Sequence, residues 1–271
     1  MNRQRPRTLL FAIDLSPPSL PLLDAAAELA AMLEVELAVW RIEEQRLLEV
    51  LKLPWCRRVL HHAAAPVEPC DSDLERELRL HRQRIEQGLS VSAERWQIKC
   101  SFSHLRDETG LALFEQLHTD TLLCAGSSLW RQWEASLPPQ AILHPSIWLP
   151  SSPLRGEEVV AIVTRHDAEA VLDAVKPLVR RGRRPVVIIL AEQPEQARQL
   201  EQRVRALLAA EGIDPRIEPW HSGDFDELCQ RLRSRAIRFL LLSNRNDKVP
   251  PQQMERLLQA AAAPVMVVAA D

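Results

Sequence analysis

The stretch Leu9-Leu-Phe-Ala-Ile-Asp14 decides the fold once it is laid over Val159-Val-Ala-Ile-Val-Thr164. Each is a short, uninterrupted apolar run that ends at a polar residue and is followed by a long helix-type segment. Continuous apolar runs of this length suit strands buried on both faces, as in a parallel sheet. After the first run come Ser16-Pro17-Pro18 and an Ala/Leu-rich segment from Leu22 to Leu33. Ser16 is placed to cap that helix, with Pro17 at its first position, where a missing N–H costs nothing. A second β-type run, Val35 to Ile42, follows after almost no loop, which suits a parallel βαβ crossover.

Working outward, the same order occurs twice. In the first series, a helix capped at Ser72 and ending near Arg95, a strand from Gln97 to Ser103, and a helix from Asp107 to His118 lead to a strand at Thr121–Ala125. Gly126 to Leu143 reads as a loop and a helix, and Ile147 to Leu149 as a last strand. In the second series, strands at Val159–Thr164, Pro185–Ala191, Arg216–Trp220, Phe239–Ser243 and Val265–Ala269 alternate with four helices, one closed by Gly212 and one capped by Asp224. The alternation predicts an α/β fold with two tandem, doubly wound, parallel five-stranded sheets. Pro150-Ser-Ser-Pro-Leu-Arg-Gly156 is the linker between a first domain, 1–152, and a second, 156–271. The first alone carries an insertion at about 44–71, which serves either as a partner-binding surface or flap, or as a lid packed on its own domain.

Composition narrows the function classes. The 34 basic and 37 acidic residues leave a net charge of −3, so nothing points to nucleic acid or an anionic membrane surface as a partner. No run is long and apolar enough to span a bilayer, and the N-terminus lacks a signal-peptide pattern, so a soluble cytoplasmic protein is expected. Glycine numbers 7 in 271 residues, against a usual content of about 7%. Glycine-rich phosphate cradles, which need positive φ and close backbone approach, are therefore scarce. The five cysteines have no C-x-x-C spacing and are expected to be buried free thiols. Cys56, His61, His62 and Cys70 lie close together, but adjacent histidines and distant cysteines do not make a zinc pattern. No metal, no cofactor and no catalytic signature is called for.

The residues Leu10-Phe-Ala-Ile-Asp-Leu-Ser16, Ser222-Gly-Asp-Phe-Asp-Glu-Leu228 and Ala261-Ala-Ala-Pro-Val-Met-Val-Val268, in this order and spacing, resemble a universal stress protein of the tandem, two-domain kind. The resemblance implies two five-stranded domains of the adenine nucleotide alpha hydrolase-like type, packed against each other as a pseudo-dimer. It also implies a stress-response role. Nucleotide-binding members carry an Asp at the end of the first strand and a G-x-x-G-x9-G-[ST] loop after the fourth. Asp14 matches the first feature, and Thr164 replaces it in the second half. Gly126-Ser-Ser-Leu129 keeps one glycine of the loop, and Ser243-Asn-Arg-Asn246 keeps none. The chain thus resembles the branch that does not bind ATP.

Ligands of open α/β sheets sit at the carboxyl ends of the strands where the strand order reverses. Asp14, Ser16, Gly126, Ser127 and Ser128 are the candidate residues in the first half, and Thr164, Arg165, Ser243, Asn244 and Arg245 in the second. Each has a plainer reading, since Asp and Ser in turns also cap their own backbone. Trp130 and Trp133 either anchor a partner beside the first crevice or fill space left by missing glycines. The expectation is a noncatalytic regulatory module with an unknown protein partner. The alternative is a sensor that binds a nucleotide or small anion near Asp14.

Overall fold

In the computed structural model, the structure describes residues 6–14, 19–43, 71–106, 111–118, 120–134, 144–150, 156–182, 184–221, 224–244 and 253–269. The first half contains strands β1 (Thr8–Ile13), β2 (Glu36–Glu43), β3 (Cys100–Arg106), β4 (Thr121–Gly126) and β5 (Ser146–Leu149). Helices α1 (Ser19–Leu33), α2 (Asp71–Trp96), α3 (Leu111–Glu115) and α4 (Ser127–Glu134) lie between them. The second half contains β6 (Glu158–Val163), β7 (Val186–Leu190), β8 (Arg216–Pro219), β9 (Ile237–Ser243) and β10 (Val265–Val268). Its helices are α5 (Ala168–Gly182), α6 (Pro194–Ala209), α7 (Phe225–Arg233) and α8 (Met254–Ala261). Of the insertion expected at about 44–71, residues 44–70 lie outside the described residues, and Asp71 opens α2.

All ten strands join in one sheet, in the order β3-β2-β1-β4-β5-β10-β9-β6-β7-β8. Read outward from the centre, both halves run 5-4-1-2-3 in their own count, so the fold-class expectation holds. Within each half every pairing is parallel. The two halves meet through β5 and β10, which run antiparallel with Ile147 opposite Met266. The two five-stranded sheets are thus continuous.

Side-chain alternation along each strand divides the core into two layers. Leu9, Phe11 and Ile13 of β1 and Val159, Ala161 and Val163 of β6 pack with α1, α2, α5 and α6 on one face. Leu10 and Ala12, with Val160 and Ile162, pack with α3, α4, α7 and α8 on the other. Both faces are therefore covered, which explains why these strands read as unbroken apolar runs.

Local details differ from the sequence reading at chain ends. The second helix begins at Asp71, so Ser72 stands in its first turn rather than outside it. The third strand starts three residues later than expected, at Cys100, because the chain first turns at Gln97 with φ of 54°. Cys100 is exposed on this edge strand, which corrects the expectation of burial, whereas Cys124 and Cys229 are buried. Asp224 caps α7 as expected, with its side chain accepting from the Asp226 N–H.

Candidate crevice at the strand ends

Strand β4 passes straight into α4, so Gly126 is followed by a helix rather than by a loop. The amphipathic α4 then drives Leu129, Trp130 and Trp133 into the core beside the crevice. Trp130 stacks on Trp148 with ring centroids 4.7 Å apart and planes 6° from parallel. Trp133 meets Trp130 edge-on at 5.3 Å and Phe114 edge-on at 5.8 Å. The Trp130 indole N–H donates to the Ile147 carbonyl at 3.2 Å, so its polar atom is satisfied inside. These two tryptophans fill space and present no face to a partner.

Asp14 and Gly126 do come together, at the carboxyl ends of the neighbouring strands β1 and β4. Leu22 of α1 closes over them: a Cβ on Gly126 would lie 2.9 Å from Leu22 Cδ1. Among the described residues, the partly open hollow lined by Asp14, Gly126, Leu22, Ser128 and Leu129 has an internal volume of about 10 Å³. That is the space of about one water molecule. Ser127 is half-buried and Ser128 exposed at the start of α4, and Ser16 lies outside the described residues.

Two residues that the sequence reading passed over stand nearby. Arg41, opposite Ile13 in the sheet, is buried and donates from Nη1 to the Leu78 carbonyl at 3.3 Å. His81 on α2 has its pKa lowered, first by burial and then by the charges of Arg41 and Arg84, with Asp14 pulling the other way. An arginine inside an otherwise apolar strand was the available signal for Arg41.

In the second half, Thr164 is half-buried and its N–H donates to Asp167 Oδ1 at 2.7 Å. Ser243 is buried at the end of β9, and the Asn244 N–H donates to the Val268 carbonyl at 2.9 Å. Arg165 is exposed, with its side chain turned to His166, and Arg245 lies outside the described residues. Sequence reasoning missed Asp167 and Glu192, both buried at this edge. Their signal was a carboxylate just beyond a buried strand, as in Ile188-Ile-Leu-Ala-Glu192.

Among the described residues no group of His, Cys, Asp and Glu is arranged to hold a metal ion, and no helix is long and apolar enough to cross a membrane.

No protein-family model matches the chain, and no curated protein matches its sequence. Solved structures do match. A universal stress protein from Archaeoglobus fulgidus superposes with a TM-score of 0.66 at 12% identity, over 96% of this chain and 97% of that one. A putative universal stress protein from Pseudomonas aeruginosa gives 0.50 at 15% identity, over 97% and 94% of the two chains. The cytoplasmic domain of a prokaryotic cation chloride cotransporter gives 0.55 at 10% identity, over 97% and 95%. With its repeated strand order, its two helical layers and these end-to-end superpositions, the chain has the fold of the universal stress proteins.

Proposed function

We propose that this chain is a noncatalytic regulatory or protein-binding module of the cytoplasm, built on the universal stress protein fold, that does not hold ATP through phosphate loops. One observation carries the reading: among the described residues, Leu22 of α1 and Leu129 of α4 line the hollow beside Asp14 and Gly126 and leave room for about one water. A nucleotide needs a pocket of several hundred Å³. The sequence supports the same reading, because the first half keeps only one glycine of the phosphate loop, Gly126, and the second half keeps none. That a universal stress protein and the cytoplasmic domain of a cation chloride cotransporter share this architecture fits a module that regulates rather than converts. Fold alone does not assign the role.

The second reading, a small-molecule sensor at the first-half crevice, draws on Asp14, Arg41 and His81 standing at one edge. Thermal unfolding in the presence of ATP, ADP, AMP and inorganic phosphate separates the two, since a ligand of the folded state alone raises apparent stability by mass action. The regulatory module gives no shift with any of them. An upward shift that Asp14→Ala removes would establish the sensor instead.

A further inference from the structure

Three neighbouring strands of the second half, β6, β7 and β8, bring one polar group to their carboxyl ends. After β6 the chain folds back so that Asp167 Oδ1 accepts the Thr164 N–H at 2.7 Å. After β7, Glu192 Oε1 accepts the Arg165 N–H at 2.8 Å. Beyond β8, His221 Nδ1 lies 2.7 Å from the Glu192 carbonyl oxygen. Asp167 is 2% exposed and Glu192 8%. The second carboxyl oxygen of Asp167, Oδ2, is fully buried and has no hydrogen-bond partner.

Each carboxyl group accepts a backbone N–H through one oxygen, and Oδ2 of Asp167 is left without a hydrogen-bond partner. An ionised carboxylate oxygen without a donor is costly in a buried place, and a second buried carboxylate beside it adds to the cost. The other charged groups at this edge do not relieve it. Arg165 and His166, on the same turn, are exposed and bonded to each other. Glu169, on α5, is exposed and paired with Arg203 of α6. His221 is directed at a backbone carbonyl.

We propose that the buried Oδ2 of Asp167 is the proton-carrying atom of this turn, holding its proton to higher pH than an exposed aspartate does, and that loss of this proton loosens the turn that carries Thr164 and Arg165. Burial is the main cause holding the Asp167 carboxyl above the ordinary range; hydrogen bonds from Thr164 oppose it and the charge of Glu192 reinforces it. The turn is a hinge for two things at once. It carries Thr164 and Arg165 at the crevice, and the Asp167 carbonyl accepts the Val171 N–H at 3.0 Å as α5 begins. Ionisation therefore acts on the crevice and on the α5 start together.

A carboxyl whose folded pKa is raised gives its full stabilisation below its unfolded pKa of about 4, and that contribution is lost as pH rises through the folded value. In the full-length chain, carboxyl-carbon NMR should place the Asp167 midpoint above that of an ordinary aspartate, and Glu192→Gln should lower it. The urea midpoint of Asp167→Asn relative to the wild type should rise with pH above about pH 4. A wild-type midpoint at or below the ordinary aspartate value would overturn the proposal. So would a difference between variant and wild type that is independent of pH. Should Asp167→Asn not fold, the NMR midpoints of the wild type and Glu192→Gln decide the matter alone.

Discussion

A methyl group on Gly156 would sit 2.0 Å from the Ile237 carbonyl oxygen, a backbone atom that cannot step aside. On Gly126 the nearest atom is the tip of the Leu22 side chain, which can rotate. Gly156→Ala should therefore cost about 3 kcal/mol or more, while Gly126→Ala should cost about 1 kcal/mol. Urea denaturation of both variants checks the ordering, and equal losses would mean that the Gly156 approach is not tight. His81 gives a pH prediction of opposite sign to that of Asp167. Its folded pKa is lowered, mainly by burial and then by Arg41. Full stability is thus present above its unfolded pKa of about 6.5, and part is lost as pH falls through that value toward the folded one. In His81→Gln that acid-side loss should shrink, as measured by urea midpoints between pH 7 and pH 5.

The helices end in a way that suits a glycine-poor chain. Glu34, Gln97 and Ala262 all have positive φ, at 59°, 54° and 46°, where glycine is the usual residue. The first two belong to the turns closing α1 and α2, in which the Val35 N–H reaches back to Ala30 and the Ile98 N–H to Ala93. Ala262 caps α8 with its own N–H on the Leu258 carbonyl. Replacing any one of the three by glycine should raise stability by about 0.5–1 kcal/mol, because the left-handed conformation is strained for the present residue. Thermal unfolding of the three single variants tests this, and uniform losses would contradict it. On α4, Trp133→Ala should cost about 3–5 kcal/mol by emptying the aromatic layer against Phe114 and Trp130.

The strands were legible because burial on both faces leaves an unbroken apolar signature, as in Val159-Val-Ala-Ile-Val163. The edge strand β3 was misjudged by three residues because Cys100-Ser-Phe-Ser-His104 is half exposed and lacks that signature. Asp14 and Gly126 could be placed together from strand order alone. That Leu22 and α4 would close the space between them was not legible, since it depends on side-chain packing across elements distant in sequence. Asp167 and Glu192 were missed for a related reason: neither is unusual for a turn until both are found buried.

At the scale of the molecule, the antiparallel pairing of β5 with β10 makes one sheet of two halves. Across the same junction, Glu28 of α1 and Arg238 of β9 form an ion pair with both side chains 13% exposed. Arg238→Leu should cost about 1–3 kcal/mol by leaving the Glu28 carboxylate without this partner. Because the sheet is continuous, the two halves should unfold in one transition, with calorimetric and van't Hoff enthalpies in agreement. Two resolved transitions would show that the halves are energetically separate. The proposed function requires that Leu22 and α4 leave no room for a nucleotide at the first-half crevice. Hydrogen exchange with and without saturating MgATP tests it most directly. Protection should be unchanged throughout residues 6–14 and 121–134, the β1 and β4–α4 edge of the crevice; protection gained there on adding the nucleotide would show that the crevice admits it.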